Sequence, residues 1–213
     1  MRASIGLAGA IIAASAAQAQ PALPPQDLPP PASAEWALSA FGYWNVPRGG
    51  DNYASGIFTA DRSQLHLEAR TGYEARHAHS AFVGWTFSVG EAIKLDATPI
   101  IGVVVGDVSG GIAGLEARVT AGRFDGYVEF EYVNDWRGRE SSYAYAWSEL
   151  AYRPFEWLRL GLVAQRTRAY GGDRDLQRGG FFQLSFGKLT AGAYLFNPGS
   201  RDQVAIMSVG IGF

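Results

Sequence analysis

The closing stretch of the chain, Val204-Ala-Ile-Met-Ser-Val-Gly-Ile-Gly-Phe213, decides the fold class. Side chains two positions apart lie on the same face of a β-strand. In this stretch an apolar residue stands at every second position: Ala205, Met207, Val209, Ile211 and Phe213. The segment therefore predicts a strand with one wholly apolar face and an aromatic residue at its end.

This pattern resembles the C-terminal strand of Gram-negative outer-membrane β-barrel proteins. In that class the terminal aromatic residue is the signal read by the barrel-assembly machinery. The resemblance implies an outer-membrane location, contact with outer-membrane lipids and an assembly role for Phe213. It holds at the level of the class and indicates no particular family.

Alternation with a period of two recurs through residues 36–213 and predicts an all-β chain. Dividing these 178 residues (213 − 35) by twelve runs gives about 15 residues per strand and connection, which suits membrane strands of about 9–11 residues. We therefore predict a single antiparallel up-and-down transmembrane β-barrel of about 12 strands. The predicted strands are 36–46, 53–61, 64–74, 79–89, 93–105, 112–121, 126–135, 142–153, 157–169, 179–187, 189–196 and 204–213.

The connections between these runs alternate between long polar segments and tight turns. Outer-membrane barrels combine long outer loops with short periplasmic turns, so both chain ends are expected in the periplasm. The long set is 48–52, 74–78, 106–111, 137–141, 171–178 and 197–203.

The start of the chain predicts export. Residues 1–19 combine Arg2, a short apolar stretch and the A-x-A pattern Ala17-Gln18-Ala19, which is typical of a cleaved signal peptide. Residues 20–35 hold six of the ten prolines and predict an extended periplasmic linker before the barrel at 36–213.

Composition excludes several classes of function. The 18 Lys and Arg against 20 Asp and Glu leave a formal charge of -2, so no basic excess is present for nucleic-acid binding. The absence of cysteine excludes disulfides, thiolate metal sites and cysteine nucleophiles.

Charged residues fall on one face of the predicted strands and form the predicted polar lumen. Mixed charges in a confined space favour mutual pairing, which predicts a salt-bridged, filled interior. The alternative is a narrow polar channel whose acidic excess favours cations or small neutral polar solutes. We expect Glu129 and Glu131 to pair with Arg118 or Arg159. The lumen set is His66, Glu68, Arg70, Lys94, Asp96, Glu116, Arg118, Glu129, Glu131, Glu149 and Arg159.

Aromatic residues carry two further predictions. Tyr143, Tyr145 and Trp147 share a face with Glu149 and are expected to line one wall, through packing or through stacking on sugar rings. Five tryptophans near strand ends predict interfacial girdles: Trp36, Trp44, Trp85, Trp136 and Trp157.

Pro99 is a misfit inside the run 93–105, because proline lacks the amide donor of a ladder. We predict a bulge at this position or a different strand boundary.

No catalytic signature is found. Outer-membrane phospholipase A and the lipid A deacylases carry a His-x-Ser pair on a strand, and none of His66, His77 and His79 is followed two positions later by serine. The His77-Ala-His79 pair lies in a polar connection and is expected to be solvent-exposed. We therefore predict no catalytic residue, no metal site and no cofactor.

Arg166 and Arg168 continue the lipid-facing register of their strand toward a long connection. Guanidinium groups bind phosphate through two hydrogen bonds, so this pair is a candidate site for lipopolysaccharide. The sequence as a whole predicts a non-enzymatic narrow pore or a structural surface protein. The alternatives are a lipid-modifying hydrolase of the outer membrane and an accessory barrel for surface polysaccharide export.

Overall fold

The computed structural model of the protein describes residues 35–138, 141–169 and 174–213. The predicted signal peptide and residues 20–34 of the predicted linker lie outside this part of the chain. None of the described residues belongs to a helix that is long and apolar enough to cross a membrane.

The described residues form thirteen β-strands, in agreement with the predicted all-β class. The alternating sequence determines their extent, because each strand buries one side of its pleat and exposes the other. The strands are β1 Ala37–Pro47, β2 Tyr53–Arg62, β3 Leu65–Thr71, β4 Ala78–Trp85, β5 Phe87–Val89, β6 Ile93–Gly106, β7 Gly110–Ala121, β8 Phe124–Asp135, β9 Tyr143–Phe155, β10 Leu158–Ala169, β11 Arg174–Phe186, β12 Leu189–Phe196 and β13 Val204–Gly212.

Pairing between the first and last strands closes the sheet into a barrel. Strands β1 and β13 run antiparallel from the pair Ser39 and Gly212 to the pair Pro47 and Val204. Leu38 and Phe213 extend this seam through two backbone hydrogen bonds of 3.0 and 2.9 Å. Each remaining strand pairs antiparallel with its neighbours in chain order, apart from a break between β4 and β5. The predicted up-and-down barrel is therefore confirmed.

Strands β4 and β5 together form one of the twelve arms of the barrel, and both pair with β6. The predicted run 79–89 is thus interrupted at Thr86, whose backbone N–H donates to the carbonyl of Gln64 at 2.7 Å. Pro99 lies on β6 opposite this break. Because Pro99 offers no N–H to the ladder, its missing donor explains why the neighbouring arm is interrupted there.

The prediction of a bulge or a strand end at Pro99 is wrong. The register between β6 and β7 continues unbroken through the pair Pro99 and Leu115. A register shift occurs instead in β10, between Leu158 and Leu160 opposite β9. Strand β11 also begins earlier than predicted, since its ladder with β10 extends to the pair Arg168 and Arg174.

The two ends of the barrel differ in their connections. At the end where β1 begins and β13 ends, hereafter the short-turn end, the connections are 63–64, 90–92, 122–123, 156–157 and 187–188. At the opposite, long-loop end the fully described connections are 48–52, 72–77, 107–109 and 197–203, and β8 also leads to β9 and β10 to β11 at this end. This asymmetry agrees with the alternation predicted from the sequence.

The outer face of the barrel is an apolar surface with tryptophans near both ends. Leu162 on β10 is 68% exposed and Ile101 on β6 is 64% exposed, values that a water-soluble protein avoids over so large a surface. The five predicted girdle tryptophans all point outward. Trp36, Trp85 and Trp157 lie at the short-turn end, and Trp44 and Trp136 lie near the long-loop end.

Candidate functional site in the barrel lumen

The barrel interior is filled with side chains. Inward-facing residues from different strands are almost fully buried: Tyr43 on β1, Trp147 on β9, Arg159 on β10 and Tyr194 on β12 have at most 3% of their surface exposed. An open aqueous channel would expose these side chains to water. The sequence allowed either a filled, salt-bridged interior or a narrow polar channel. Where these four side chains lie, the structure has the filled interior.

Aromatic side chains of β9 reach across the lumen in both directions. The ring of Tyr145 meets the ring of Tyr73, which follows β3, edge to face at 6.0 Å. The ring of Trp147 meets Tyr194 and Phe196 of β12 at 5.9 and 5.4 Å. These contacts span strands that are not neighbours in the sheet, so the rings form a layer across the interior. We call these five rings the aromatic layer.

Arg70 on β3 is the centre of an acidic cluster. Its side chain has no exposed surface, and its guanidinium lies 4.6 Å above the ring of Tyr73 and 4.4 Å above the ring of Phe82. Arg70 donates to Glu131 at 2.7 Å, whereas Nη2 of Arg70 has no hydrogen-bond acceptor among the described residues. Five carboxylates of the described chain lie within ion-pair distance of it: Glu68, Glu74, Glu116, Glu129 and Glu131.

Tyrosine hydroxyls and a serine hydroxyl complete this Arg70 cluster. Glu129 accepts hydrogen bonds from Tyr73 at 2.9 Å and from Tyr127 at 3.1 Å. Glu74, in the loop after β3, accepts one from Ser80 at 2.6 Å. Burial raises the pKa of the Glu74 carboxyl above its ordinary value, against the opposing effect of Arg70. One guanidinium thus serves five carboxylates, and the cluster has surplus acid.

Arg159 on β10 is the centre of a second buried group. It donates through Nε and Nη2 to Asp125 on β8, and through Nη1 to Glu149 at 2.7 Å and to Gln183 at 2.9 Å. Its guanidinium lies 4.7 Å above the ring of Phe181. Each guanidinium nitrogen of Arg159 therefore has an acceptor. Nε of Arg153 also lies 3.6 Å from Asp125, so two carboxylates of this Arg159 cluster face two cations.

The predicted lumen residues occupy three environments. The clusters of Arg70 and Arg159 hold His66, Glu68, Glu116, Glu129, Glu131 and Glu149. Lys94 and Asp96 form an ion pair of 3.0 Å near the short-turn end, where their side chains are 49% and 25% exposed. Arg118 is partly buried, with its guanidinium 5.7 Å from the ring of Tyr127.

The predicted partners of Glu129 and Glu131 need correction. We expected Arg118 or Arg159, but the structure brings Arg70 from β3 to both carboxylates, at 3.4 and 2.7 Å. Arg70 reaches them across the lumen from a strand that does not pair with β8. Alternation reveals which face a residue occupies, but it does not reveal which strand lies opposite.

The predicted lumen set leaves out interior residues, among them four polar residues that contact the two arginine clusters or His66. Asp125 lies one position before a predicted strand, yet it shares the register of Tyr127 and Glu129, and this signal could have placed it inside. Glu74 stands at the predicted boundary between strand 64–74 and connection 74–78, and it continues the register of Glu68 and Arg70, which could have placed it inside. For Gln183 and Asp61 the sequence signal is only that each stands at an inward-facing position of its strand.

The remaining predicted residues lie outside the lumen. Arg166 and Arg168 are exposed on the outer face of β10 toward the long-loop end. His77 is 82% exposed and contacts Asp107 at 3.1 Å. His79 is exposed as well.

Comparison with known proteins identifies the fold. No protein-family model matches the chain, and no curated protein matches its sequence. Among solved structures, KdgM porin matches with a TM-score of 0.61 and 8% identity, covering 82% of this chain and 98% of that one. KdgM porin in complex with disordered oligogalacturonate matches with a TM-score of 0.60 and 7% identity over the same shares. The chain therefore has a porin-like barrel fold, as the resemblance to outer-membrane barrels predicted.

Proposed function

We propose that the protein is a non-enzymatic, narrow pore of the bacterial outer membrane that passes small cations and neutral polar solutes. The observation that carries this proposal is the combination of a closed porin-like barrel with a polar interior rich in carboxylates. In this proposal the barrel provides the route across the membrane, and the carboxylates of the Arg70 cluster provide the preference for cations.

The outer-membrane location is supported by the outer surface of the barrel. Lipid-facing residues of a membrane barrel form an apolar band flanked by aromatic girdles. The exposed leucine, valine and isoleucine side chains and the five outward-facing tryptophans have this arrangement. Phe213, which is 54% exposed beside the closing seam, is the proposed signal for the barrel-assembly machinery.

The preference for cations follows from the surplus of acid in the lumen. Fixed carboxylates lower the energy of a passing cation and raise that of an anion, and the effect is strong in a narrow, poorly solvated space. Glu129 and Glu131, which both lie within 4 Å of Arg70, are fully buried on the inner wall of β8.

The conformation described is a closed one, because the aromatic layer fills the lumen. Conduction requires its side chains to change rotamer, and the ring of Trp147 stands at the centre of the layer with no exposed surface. We therefore expect small, infrequent conductance steps in the unmodified protein.

Planar-bilayer recording of the refolded protein tests the pore. Discrete steps are expected, and Trp147→Ala is expected to enlarge them severalfold because it removes a ring from the layer. Leu162→Ala, on the lipid face, is the matched control and should leave the step size unchanged. Silence of both the unmodified protein and Trp147→Ala would contradict the proposal.

A structural surface protein is the second candidate, and the filled interior favours it. A barrel whose core is packed with charged and aromatic side chains needs no solute to be stable. The same recording separates the two candidates, since a purely structural barrel stays silent even after Trp147→Ala.

A hydrolase finds less support in the geometry. A Ser-His-Asp triad requires a serine hydroxyl at the histidine nitrogen that faces away from the aspartate. His66 contacts Asp61 through Nδ1, but Nε2 has no hydrogen bond from a serine or any other residue that the structure describes.

Lipopolysaccharide is the proposed lipid partner of the outer face. Arg166 and Arg168 are exposed on the lipid-facing side of β10 near the long-loop end, where phosphorylated headgroups would lie in this orientation. The double variant Arg166→Ala, Arg168→Ala should reduce the lipopolysaccharide that copurifies with the barrel. Unchanged copurification would remove this partner from the proposal.

A further inference from the structure

His66 is held in an orientation that points one ring nitrogen into the acidic lumen. Its Nδ1 lies 2.7 Å from Oδ1 of Asp61. An ionised carboxylate only accepts hydrogen bonds, so Nδ1 carries the proton that it donates. In the neutral imidazole, the lone pair is then on Nε2, which is buried and has no hydrogen-bond partner among the described residues.

Two carboxylates face this nitrogen. Nε2 of His66 lies 3.5 Å from Oε2 of Glu68 on the same strand. Glu116 projects from β7, and one ligand atom from each of His66, Glu68 and Glu116 lies within 4.8 Å of the other two. A buried imidazole nitrogen that makes no hydrogen bond and faces two carboxylates forms, together with them, a set of ligands for a metal ion.

The charge around this trio favours a cation. Glu68 and Glu116 belong to the group of five carboxylates around Arg70, and a single guanidinium leaves most of that negative charge uncompensated. Buried like charges are strongly destabilising unless a counter-charge is present. A dication at His66 would neutralise the two carboxylates nearest to it.

We propose that His66, Glu68 and Glu116 form a binding site for a transition-metal dication of the Zn²⁺ class. Imidazole nitrogen together with carboxylate oxygen suits Zn²⁺ or a similar ion, whereas Ca²⁺ and Mg²⁺ prefer oxygen ligands alone. Asp61 is not a ligand but orients His66, because a carboxylate bound to the second ring nitrogen fixes the position of a ligating histidine and makes it more basic.

The distances between the three ligand atoms suit Zn²⁺ after a small shift of the Glu116 side chain. Zn²⁺ bonds to nitrogen and oxygen are about 2.0–2.2 Å long, which separates two ligand atoms of a tetrahedral site by about 3.4 Å. His66 and Glu68 already have this separation. Glu116 has to approach further, and its side chain, which is 15% exposed, is the least confined of the three.

The group reaches solvent at the short-turn end through Asp61. Asp61 lies there next to the turn 63–64, and its side chain is 38% exposed while it contacts His66. The site lies apart from the exposed pair His77 and His79, and it revises the expectation that the protein has no metal site. It does not rest on conduction, since a silent barrel could bind the ion equally well.

Metal titration of the refolded full-length chain tests this proposal. The protein in detergent is freed of metal with a chelator, exchanged into chelator-free buffer and titrated with ZnCl₂ by isothermal calorimetry, with bound zinc counted by mass spectrometry. One Zn²⁺ per barrel is expected. His66→Gln and Glu116→Gln should each weaken binding at least tenfold, and Asp61→Asn should weaken it about 10–100-fold.

His77→Gln is the matched control, because it removes an exposed histidine outside the trio and should leave the affinity unchanged. Heat-modifiable migration on a gel shows whether each variant has folded, and Glu116→Gln keeps the test decisive if His66→Gln does not fold. The proposal is overturned if no stoichiometric zinc binds, or if His66→Gln binds as tightly as the unmodified chain. Displacement of Zn²⁺ by equimolar Ca²⁺ would also overturn it, since that result excludes an imidazole ligand.

Discussion

Arg70 and Arg159 are two inward-facing arginines of the same barrel, similarly buried and similarly placed over aromatic rings, yet their surroundings differ in charge. Arg159 has an acceptor for each guanidinium nitrogen, and with Arg153 beside Asp125 its cluster holds two cations and two carboxylates. Arg70 faces five carboxylates, while its Nη2 has no hydrogen-bond acceptor in the described chain.

Under the proposed function, this difference makes the Arg159 cluster structural and gives the Arg70 cluster the contact with the solute. A balanced, hydrogen-bonded ion pair holds strands together and offers nothing to a solute. An unbalanced cluster costs stability, and such a cost is characteristic of sites that bind or conduct a charged species. On that proposal the functional part of the lumen lies around Arg70, and substitutions in the two clusters should have different effects.

The largest effect is expected from Arg159→Met. This substitution leaves Glu149 buried without the cation that it contacts and leaves Asp125 with only its longer contact to Arg153. Breaking a buried ion pair in this way costs about 3–5 kcal/mol. Denaturant unfolding of the barrel in lipid vesicles, followed by heat-modifiable migration, measures this loss. Arg166→Met on the exposed outer face is the control, and an equal loss in both variants would refute a structural role for the Arg159 cluster.

A smaller and sharper contrast comes from neutralising one carboxylate in each cluster. Glu149→Gln removes charge from a balanced cluster, so the free energy of unfolding should fall by about 1–3 kcal/mol. Glu131→Gln removes surplus charge, so the free energy of unfolding should stay level or rise. The same unfolding assay compares the two variants, and an equal loss in both would remove the distinction between the clusters.

The sequence predicts those features of the two clusters that depend on residues close together in the chain. Alternation is local, so it correctly places Glu68, Arg70 and Glu129 on the inner face and closes the barrel through the final strand. Contacts across the lumen join residues about 60 positions apart, such as Arg70 and Glu131, and no local pattern encodes them.

Turns set a second limit on what the sequence reveals. The sequence places Glu74 at the end of strand 64–74, but the strand ends at Thr71, and Glu74 follows Gly72, whose φ of 65° lies in the left-handed region. A Cβ at Gly72 would lie 2.6 Å from the carbonyl oxygen of Ala54, so the chain passes tightly against β2 before Glu74 reaches the lumen. Pro99 is a second example. The break that faces it lies between β4 and β5, and β6, the strand that carries the proline, is continuous.

The smallest predicted effect is a pH dependence carried by Glu74. Its pKa is raised by burial in the folded barrel, so the folded state holds the proton more tightly than the unfolded chain. Its contribution to stability is then fully present below the ordinary carboxyl pKa of 4.5 and is lost as pH rises through the raised value. A pKa that differs by one between the folded and unfolded states changes the free energy of unfolding by about 1.4 kcal/mol.

Glu74→Gln should abolish this loss. Relative to the unmodified barrel, the free energy of unfolding of the variant should therefore increase as pH rises above 4.5. Unfolding curves recorded across the pH series measure this difference. A constant difference between the two proteins would mean that Glu74 takes no part in the surplus of acid.

The reversal potential of the open barrel tests the central claim most directly, because its sign reports the charge that the lumen prefers. A bilayer is held between two KCl solutions of different concentration, and the voltage of zero current is measured for the unmodified protein and for Glu129→Gln. We predict a voltage that shows selectivity for K⁺ and a smaller one in the variant. Selectivity for Cl⁻, or a voltage that does not change on neutralising Glu129, would contradict an acidic lumen as the basis of function.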